Sequence, residues 1–206
     1  WSRSMTDAAP IFAAETAGEA GAPLVFTFHG TGGSERQFHD FPRQVLPGAH
    51  VVSPRGTVSE MGALRYFRRK AEGVYDMEDL AARTAEMARF VAGHRDRIGA
   101  ARVIGLGYSN GANILASVAM AAPDLFDDVA LLHPLIPWQP DPVPGLSGRR
   151  VLITAGEQDP ICPAPQTRAL SDWFEAQGAQ VDTVWHPGGH GIAEVEIGAL
   201  ARFVAG

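Results

Sequence analysis

Short apolar runs recur along this chain, and segments with helical spacing separate most of them. The runs are Leu24–Phe28, His50–Ser53, Arg102–Leu106, Val129–Leu132, Val151–Thr154 and Val181–Trp185. Most of these runs are apolar on both faces, as expected of parallel strands that helices cover on both sides. Alternating strands and helices predict right-handed crossovers within one sheet. We therefore expect an α/β fold with an open, mostly parallel sheet and helices on both faces.

Four segments between or after these runs have the apolar spacing of helices. They are Asp79–Ile98, Ala112–Ala121, Pro165–Gln177 and Ile192–Val204. Asp76 or Asp79 is the expected cap of the first helix, and Gly99 is its expected end. Two longer stretches are predicted to be connections: Pro54–Tyr75, and the proline-rich Pro134–Gly148, which is the clearest irregular loop. Neither stretch is long enough to form a cap domain.

The length and the charge of the chain limit its class. A chain of 206 residues fits one domain over residues 1–206, in which residues 1–10 are interpreted as a tag remnant or a poorly ordered end. A net charge of −6 argues against nucleic acid or an anionic membrane as a partner. The sequence shows neither a membrane-spanning apolar stretch nor a signal peptide, so we expect a cytoplasmic location. Cys162 is the only cysteine, which excludes an internal disulfide and a cysteine metal cluster.

The segment Gly107-Tyr-Ser-Asn-Gly111 has the pattern G-x-S-x-G, and its position gives the pattern weight. It follows one apolar run directly and precedes the helix that starts near Ala112. A serine on such a turn has a strained backbone and an exposed hydroxyl, and the helix N-terminus favours a developing oxyanion. The alternative is a glycine-rich turn with an incidental serine. The context favours Ser109 as a nucleophile.

A serine hydroxyl needs a nearby base, and in the fold that carries this turn the chain order is Ser, Asp or Glu, then His. Asp159 follows the fifth run, and His190 follows the sixth in Gly188-Gly-His-Gly191. We predict His190 as the general base and Asp159 as the residue that orients it. Glu157 is the alternative orienting residue, but Asp followed by Pro fits a turn better.

The remaining histidines have weaker claims to a role. His133 ends the fourth run and is a candidate for lining the site, whereas His186 is expected to be structural. No catalytic context surrounds His39, His50 or His94.

The segment His29-Gly-Thr-Gly-Gly33 follows the first run and has the glycines of an oxyanion turn. We expect the N–H groups of Thr31 and Asn110 to form an oxyanion hole. A phosphate cradle is the alternative, but the Lys-Ser/Thr of a P-loop is missing. The predicted substrate contacts are His29, Gly30, Tyr108, Arg68, Leu135, Ile136 and Trp138.

Together these motifs resemble the phospholipase/carboxylesterase family of α/β hydrolases, a short lidless group that includes acyl-protein thioesterases. The resemblance covers Pro23 to Phe203 and is carried by Phe28-His-Gly-Thr-Gly-Gly33, Gly107-Tyr-Ser-Asn-Gly-Ala112, Gly156-Glu-Gln-Asp-Pro160 and Gly189-His-Gly191. Pro54-Arg-Gly56 and Tyr66-Phe-Arg-Arg69 are similar to a bacterial branch of predicted esterases. The resemblance implies the α/β-hydrolase fold, hydrolysis of short carboxylic or thiol esters, no metal or cofactor, and a homodimer.

Three other functions share this fold. An acyl thioesterase or lysophospholipase uses the same machinery, so that alternative stays open. A non-catalytic ligand-binding receptor usually encloses its ligand under a cap, for which this chain has no room. Dienelactone hydrolases place cysteine at the serine turn, so Ser109 argues against them.

Two further features have alternative interpretations. The basic cluster Arg65, Arg68, Arg69 and Lys70 either pairs with nearby surface acids (Glu72, Asp76 and Glu78) or sends one arginine, with Arg68 favoured, to bind a substrate anion. The proline-rich stretch with Leu135, Ile136 and Trp138 forms either an apolar wall for the acyl group or a dimer contact. Cys162 is expected to be a small buried apolar side chain.

Overall fold

A seven-stranded sheet organises the residues that the computed structural model describes, 10–206. Residues 1–9, which hold most of the predicted tag remnant, lie outside the described residues. The strands are β1 (Ala13–Thr16), β2 (Leu24–Phe28), β3 (His50–Pro54), β4 (Val58–Glu60), β5 (Ala63–Arg65), β6 (Arg69–Ala71), β7 (Val74–Tyr75), β8 (Val103–Tyr108), β9 (Asp128–Leu132), β10 (Arg150–Gly156) and β11 (Gln180–His186). The sheet order is β1-β3-β2-β8-β9-β10-β11, and all neighbours except β1 and β3 are parallel.

Helices cover both faces of the sheet, which confirms the predicted α/β fold. They are α1 (Phe41–Val45), α2 (Met77–Ile98), α3 (Asn110–Ala121), α4 (Ala164–Ala176) and α5 (Glu194–Ala205), with 3₁₀ turns at Pro123–Leu125 and Pro144–Leu146. Side chains of α1 and α5 pack with one face of the sheet, and those of α2, α3 and α4 pack with the other. Strand residues alternate between the two cores, so Val25 faces one core while Leu24 and Phe26 face the other.

The long helix α2 begins and ends where the sequence predicts. The Asp76 carboxylate accepts the Asp79 N–H at 3.1 Å, a capping contact that contributes about 1 kcal/mol to helix stability. Gly99 ends the helix in the left-handed conformation, with a φ of 69° that glycine adopts at low cost. Within residues 10–206, none of the helices combines the length and the apolar character that crossing a membrane would require.

The long connection predicted after β3 contains two small hairpins, β4–β5 and β6–β7. We call residues 55–76 the hairpin arm. Its strands have only two or three residues each, too few to show a period of two in the sequence. The sequence therefore did not predict these hairpins, whereas the proline-rich stretch 134–148 is irregular as expected apart from the turn at Pro144–Leu146.

The sheet topology defines one edge for a site. β2 lies between β3 and β8, so the strand order reverses direction at β2. Ligands of open parallel sheets bind at the carboxyl ends of the strands beside such a reversal. The loops after β2, β8, β9, β10 and β11 all open on this edge.

Candidate active site

Ser109 occupies a tight turn between β8 and α3. Its backbone has φ 54° and ψ −116°, a strained conformation that costs about 1–3 kcal/mol in a residue other than glycine. The flanking glycines allow the close packing of this turn. A Cβ on Gly107 would lie 2.6 Å from the Gly111 carbonyl oxygen, and a Cβ on Gly111 would overlap the Phe28 carbonyl. The turn places Ser109 in the wall of a cavity.

A continuous chain of polar contacts starts at the Ser109 hydroxyl. Ser109 Oγ lies 2.9 Å from His190 Nε2, and His190 Nδ1 lies 2.7 Å from Asp159 Oδ2. The Tyr108 hydroxyl donates to the His190 carbonyl at 2.7 Å, and the Tyr108 ring packs beside the imidazole. This geometry allows a proton to pass from the hydroxyl to the imidazole while the carboxylate fixes the imidazole tautomer. Glu157, the alternative orienting residue, is exposed.

Asp159 is held as a buried carboxylate. Its Oδ1 accepts the N–H groups of Ile161 at 2.8 Å and Cys162 at 3.0 Å. Burial alone would raise the pKa of Asp159, but these N–H groups and two neighbouring imidazoles hold the pKa below its usual value. Asp159 is therefore ionised at neutral pH, as the prediction that it orients His190 requires.

The polar chain continues beyond Asp159 to residues that sequence reasoning did not connect. His133 Nδ1 lies 2.8 Å from Asp159 Oδ2, and His133 Nε2 lies 2.7 Å from Glu196 Oε1. The side chains of His133, Asp159 and Glu196 are fully buried. The Nε2–H of His133 points off the line to Glu196, so this contact is a close ion pair more than an aligned hydrogen bond. Glu196 lies in the first turn of α5, and this acid at a helix start was its only sequence signal.

His186 also contacts Glu196, which raises the question of a metal site. His133, His186 and Glu196 have the ligand types of one. However, His186 Nδ1 accepts the Gly188 N–H at 3.0 Å, so a neutral His186 carries its proton on Nε2. That Nε2 lies 3.2 Å from Glu196 Oε2. The tautomer therefore places a proton, and not a free lone pair, in front of Glu196.

A cavity of about 300 Å³ opens above Ser109. Both predicted oxyanion residues, Thr31 and Asn110, line it, together with Tyr108 and Leu135. Asn110 is the first residue of α3, and the N–H of a first-turn residue has no partner inside its own helix. The Gly33 N–H closes the turn at Thr31 by donating to the Gly30 carbonyl, and the Gly32 N–H donates to the Leu64 carbonyl of β5. Neither hydrogen bond uses the Thr31 N–H.

His29 and Gly30 do not line this cavity, contrary to the prediction that they contact substrate. His29 is buried, its Nδ1 lies 2.7 Å from the Gly30 carbonyl, and its Nε2 accepts the Gly56 N–H at 2.9 Å. Burial lowers the pKa of His29, so the ring is neutral. The Gly30 N–H donates to Gln37. The contacts of both residues therefore support the turn at Thr31 from the side away from the cavity.

The predicted role of Arg68 is likewise corrected, because Arg68 is exposed and lies outside the cavity lining. Arg65 and Arg69 line the cavity instead. Arg65 Nη1 donates to Thr31 Oγ1 at 2.7 Å, next to the predicted oxyanion hole. Both arginines pair with Glu60, and not with the surface acids that the sequence offered as partners.

Ile136 and Trp138 also lie away from this cavity. They line a separate groove with residues of α4, including Trp173. Leu135 is the only one of the three predicted apolar contacts that reaches the cavity above Ser109. The chain turns away from the strand ends after Leu135, whose N–H is bound by Asn113 Oδ1 at 2.7 Å.

The mostly parallel sheet, with its strained serine turn at the switch point, defines an α/β hydrolase. The chain belongs to the dienelactone hydrolase family, whose family model matches residues 66–198. It is 37% identical over 175 residues to MhqD of Bacillus subtilis (strain 168), a protein named as a hydrolase, and the match covers 84% of this chain and 88% of MhqD.

Two solved structures are similar over nearly the whole chain. The protein Atu2452 of Agrobacterium tumefaciens str. C58, whose function is unknown, is 54% identical with a TM-score of 0.89, covering 95% of this chain and 96% of that one. A Bacillus cereus carboxylesterase is 33% identical, also with a TM-score of 0.89, covering 95% and 94%. The resemblance to small carboxylesterases is therefore confirmed. Ser109 was predicted to argue against dienelactone hydrolases, but the match to that family's model includes the serine turn, so a serine at this position is compatible with the family. The chain is a hydrolase of this family.

Proposed function

We propose that this chain is a serine carboxylesterase that cleaves short carboxylic esters. The observation that carries the proposal is the chain of contacts from Ser109 Oγ through His190 to Asp159, with distances of 2.9 and 2.7 Å, beside the cavity. Ser109 is the nucleophile, His190 the general base and Asp159 the orienting residue. The substrate is a small-molecule ester, and the reaction needs neither a metal nor another cofactor.

The proposed reaction is a two-step acyl transfer. Ser109 Oγ attacks the ester carbonyl carbon while His190 takes the hydroxyl proton. The N–H groups of Thr31 and Asn110 bind the resulting oxyanion, and each donor stabilises the transition state by about 3 kcal/mol. His190 then protonates the leaving alcohol, and an ester between the acyl group and Ser109 remains. Water, deprotonated by His190, hydrolyses that ester and restores the hydroxyl.

The cavity also contains Cys162, a second nucleophile type. Its thiol is buried and donates to the His133 carbonyl at 3.3 Å. Burial raises the pKa of the Cys162 thiol far above neutral pH, and a protonated thiol is a poor nucleophile. This environment favours the Ser109 hydroxyl over the Cys162 thiol.

The size of the cavity favours a small acyl group. About 300 Å³ is at the low end for ligand pockets. A thioesterase or lysophospholipase would use the same residues, so the choice between them is a matter of substrate comparison. The homodimer and the cytoplasmic location stay predictions, and sedimentation of the purified chain checks the first.

The deciding experiment compares wild type with Ser109→Ala on p-nitrophenyl esters and acyl thioesters of increasing acyl length. We expect wild type to prefer the shortest acyl groups and the Ser109→Ala variant to lose at least about 10³-fold in kcat/KM. Ser171→Ala, which removes a hydroxyl from α4 outside the cavity lining, is the control and should keep full activity.

Labelling with a fluorophosphonate identifies the nucleophile without knowledge of the substrate. We expect the label on the Ser109 peptide and none on the Cys162 peptide. Label on Cys162, or turnover that survives in Ser109→Ala, would refute the serine mechanism. A folded wild type that neither takes the label nor turns over any ester would favour the ligand-binding alternative.

A further inference from the structure

We propose that His133 and Glu196 are positioning residues that extend the Ser109–His190–Asp159 chain. A doubly protonated His133 bridges the carboxylates of Asp159 and Glu196 and thereby fixes Asp159 for its contact with His190. The kinetic part of this proposal rests on the proposed esterase mechanism. The part that concerns the protonation of His133 does not.

The hydrogen bonds and ion pairs at the two carboxylates indicate where the protons of the cluster lie. Asp159 has four contacts: two backbone N–H groups at Oδ1, and the Nδ1 atoms of His190 and His133 at Oδ2. Glu196 Oε1 accepts the Thr154 hydroxyl at 2.6 Å and faces His133 Nε2. Its Oε2 accepts the Ala193 N–H at 2.6 Å and faces His186 Nε2. The other groups around the two carboxylates can all donate a proton. His133 fits this pattern at both carboxylates only if both of its ring nitrogens carry protons.

A neutral His133 would leave one ring nitrogen without a proton. Its lone pair would then face a carboxylate oxygen at 2.8 Å or less in a site without water access, where such repulsion is strong. Burial lowers the pKa of His133, but the carboxylates of Glu196 and Asp159 outweigh burial and raise the pKa above its ordinary value. The doubly protonated ring is therefore the form that this site stabilises.

A second buried histidine offers an internal comparison. His39 is buried, as His133 is, but its two ring nitrogens contact the hydroxyls of Thr16 at 2.8 Å and Ser53 at 2.7 Å. Burial lowers the pKa of His39, because hydroxyl partners carry no charge that could offset it. The carboxylates, and not burial as such, therefore distinguish the two rings.

The backbone at His133 is shaped to place its ring between the two acids. His133 has φ 51°, a left-handed conformation that is uncommon outside glycine. Its N–H donates to the Thr154 carbonyl at 2.9 Å, and its own carbonyl accepts the Cys162 thiol. Strain of this kind persists only where the surroundings impose it, and it is concentrated at functional sites.

The bridge determines both the position of the Asp159 carboxylate and the net charge next to His190. Two carboxylates and one imidazolium give the cluster a net charge of −1, the same sign as a single orienting Asp. The titratable groups that face His133 from the packed elements are Asp159, Glu196, His186, His190, Tyr108 and Cys162. Because Oδ2 of Asp159 contacts both His190 and His133, loss of the bridge would leave His190 as the only side chain that holds this oxygen, although Oδ1 would keep its two backbone N–H groups.

Nitrogen NMR of the histidine side chains tests the bridge in the resting protein. In ¹⁵N-histidine-labelled wild type, we expect His133 to have both ring nitrogens protonated at about pH 7, although a free histidine titrates near pH 6.5. His39, whose pKa burial lowers, should be neutral at the same pH. The signal that disappears in His133→Asn is assigned to His133. If that variant does not fold, the signal that changes in Glu196→Gln is assigned to His133 instead. A neutral His133 at about pH 7 would overturn the proposal.

Kinetics of Glu196→Gln test the positioning role. We expect kcat to fall by about 10-fold to 100-fold with little change in KM, because a small displacement of the base is enough to slow the reaction. Loss of one carboxylate also lowers the pKa of His133. Because the bridge needs the protonated ring, kcat/KM of Glu196→Gln should gain an ionisation through which activity falls as the pH rises. The control is His39→Gln, which changes a buried histidine that makes no contact with Ser109, His190, Asp159, His133 or Glu196. It should leave the pH profile of kcat/KM unchanged.

The outcomes separate the two proposals. If Glu196 were only structural, Glu196→Gln would scale the whole pH profile down without moving its ionisations, and the positioning role would be refuted. If wild type turns over no ester while His133 is doubly protonated, the esterase proposal fails and the bridge stands as a structural element. If wild type is active and His133 is neutral, the bridge fails and the triad stands.

Discussion

Tyr66 shows how one side chain joins three parts of the site. Its hydroxyl donates to the Pro54 carbonyl at 2.8 Å and accepts the His29 N–H at 2.9 Å, so it connects the ends of β3 and β2. Its own N–H donates to Asn110 Oδ1 at 2.7 Å, next to the serine turn. The ring is fully buried, and burial raises the pKa of its hydroxyl, which keeps the hydroxyl protonated as a donor.

A Tyr66→Phe substitution should therefore destabilise the protein without enlarging any cavity in the core. It leaves the Pro54 carbonyl and the His29 N–H without their partner, at a cost of about 1–3 kcal/mol. Urea unfolding checks this, with an expected lower midpoint and an unchanged slope. An unchanged midpoint would mean that water replaces the hydroxyl and that Tyr66 does not hold the strand ends together.

Among the secondary-structure elements, the hairpin arm does most to shape the chemistry of the cavity. It contributes Arg65 and Arg69 to the cavity wall, and the two guanidinium groups share one carboxylate, Glu60. Arg65 is buried, and desolvation lowers the pKa of its guanidinium although the group stays charged. Glu72 also lines the cavity and balances the charge of the wall as a whole. The excess positive charge is local to Arg65, whose contact with Glu60 is the longer of the two and which donates to the predicted oxyanion residue Thr31.

This excess charge predicts a preference for esters that carry a carboxylate on the acyl or alcohol part. In Arg65→Met, the ratio of kcat/KM for an anionic ester to that for its neutral analogue should fall about tenfold or more, the effect of one charge-assisted hydrogen bond. Loss of the contact with Thr31 should lower kcat/KM for both esters equally, so this effect does not change their ratio. Arg68→Met removes an exposed charge from the same arm and is the matched control. Equal falls for both esters in Arg65→Met would refute the preference.

The elements that sequence could predict differ physically from those it could not. Each of the six apolar runs is a sheet strand. Five of them are buried on both faces, which requires an uninterrupted apolar segment, whereas the edge strand β11 is partly exposed. The strands β4 to β7 rely on pairing within short hairpins and on contacts with distant residues, which leave no local pattern. The edge strand β1 (Ala13-Ala-Glu-Thr16) is too short and mixed to be recognised.

The same distinction holds within the site. The sequence placed Ser109, Asp159 and His190 on loops at one sheet edge, because parallel strands fix where their following loops open. It did not connect His133 with Glu196, because their contact joins the loop after β9 to the start of α5. It favoured Arg68 over Arg65 because a hairpin decides which arginine faces inward, and the hairpin itself was not foreseen.

For the molecule as a whole, buried histidines make stability depend on pH. Burial lowers the pKa of His29, His39 and His94 below the ordinary 6.5. Because the unfolded chain then binds protons first, the stability from these three groups is present above pH 6.5 and is lost as the pH falls through their folded pKa values. His133 acts in the opposite sense: its raised pKa contributes stability below pH 6.5 that is lost as the pH rises through the folded value.

Three histidines have lowered pKa values and one has a raised pKa. We therefore expect the protein to lose stability on acidification from about pH 7 to about pH 5. The lowered pKa values of Asp159, Glu196 and Glu35, the last at about 2, extend the loss to lower pH, because these acids bind protons more readily once unfolded. Urea midpoints at the two pH values measure the effect. His39→Gln removes one of the three histidines and should make the midpoint depend less on pH. A wild-type midpoint that rises toward pH 5 would show instead that the bridge at His133 outweighs the three neutral rings together.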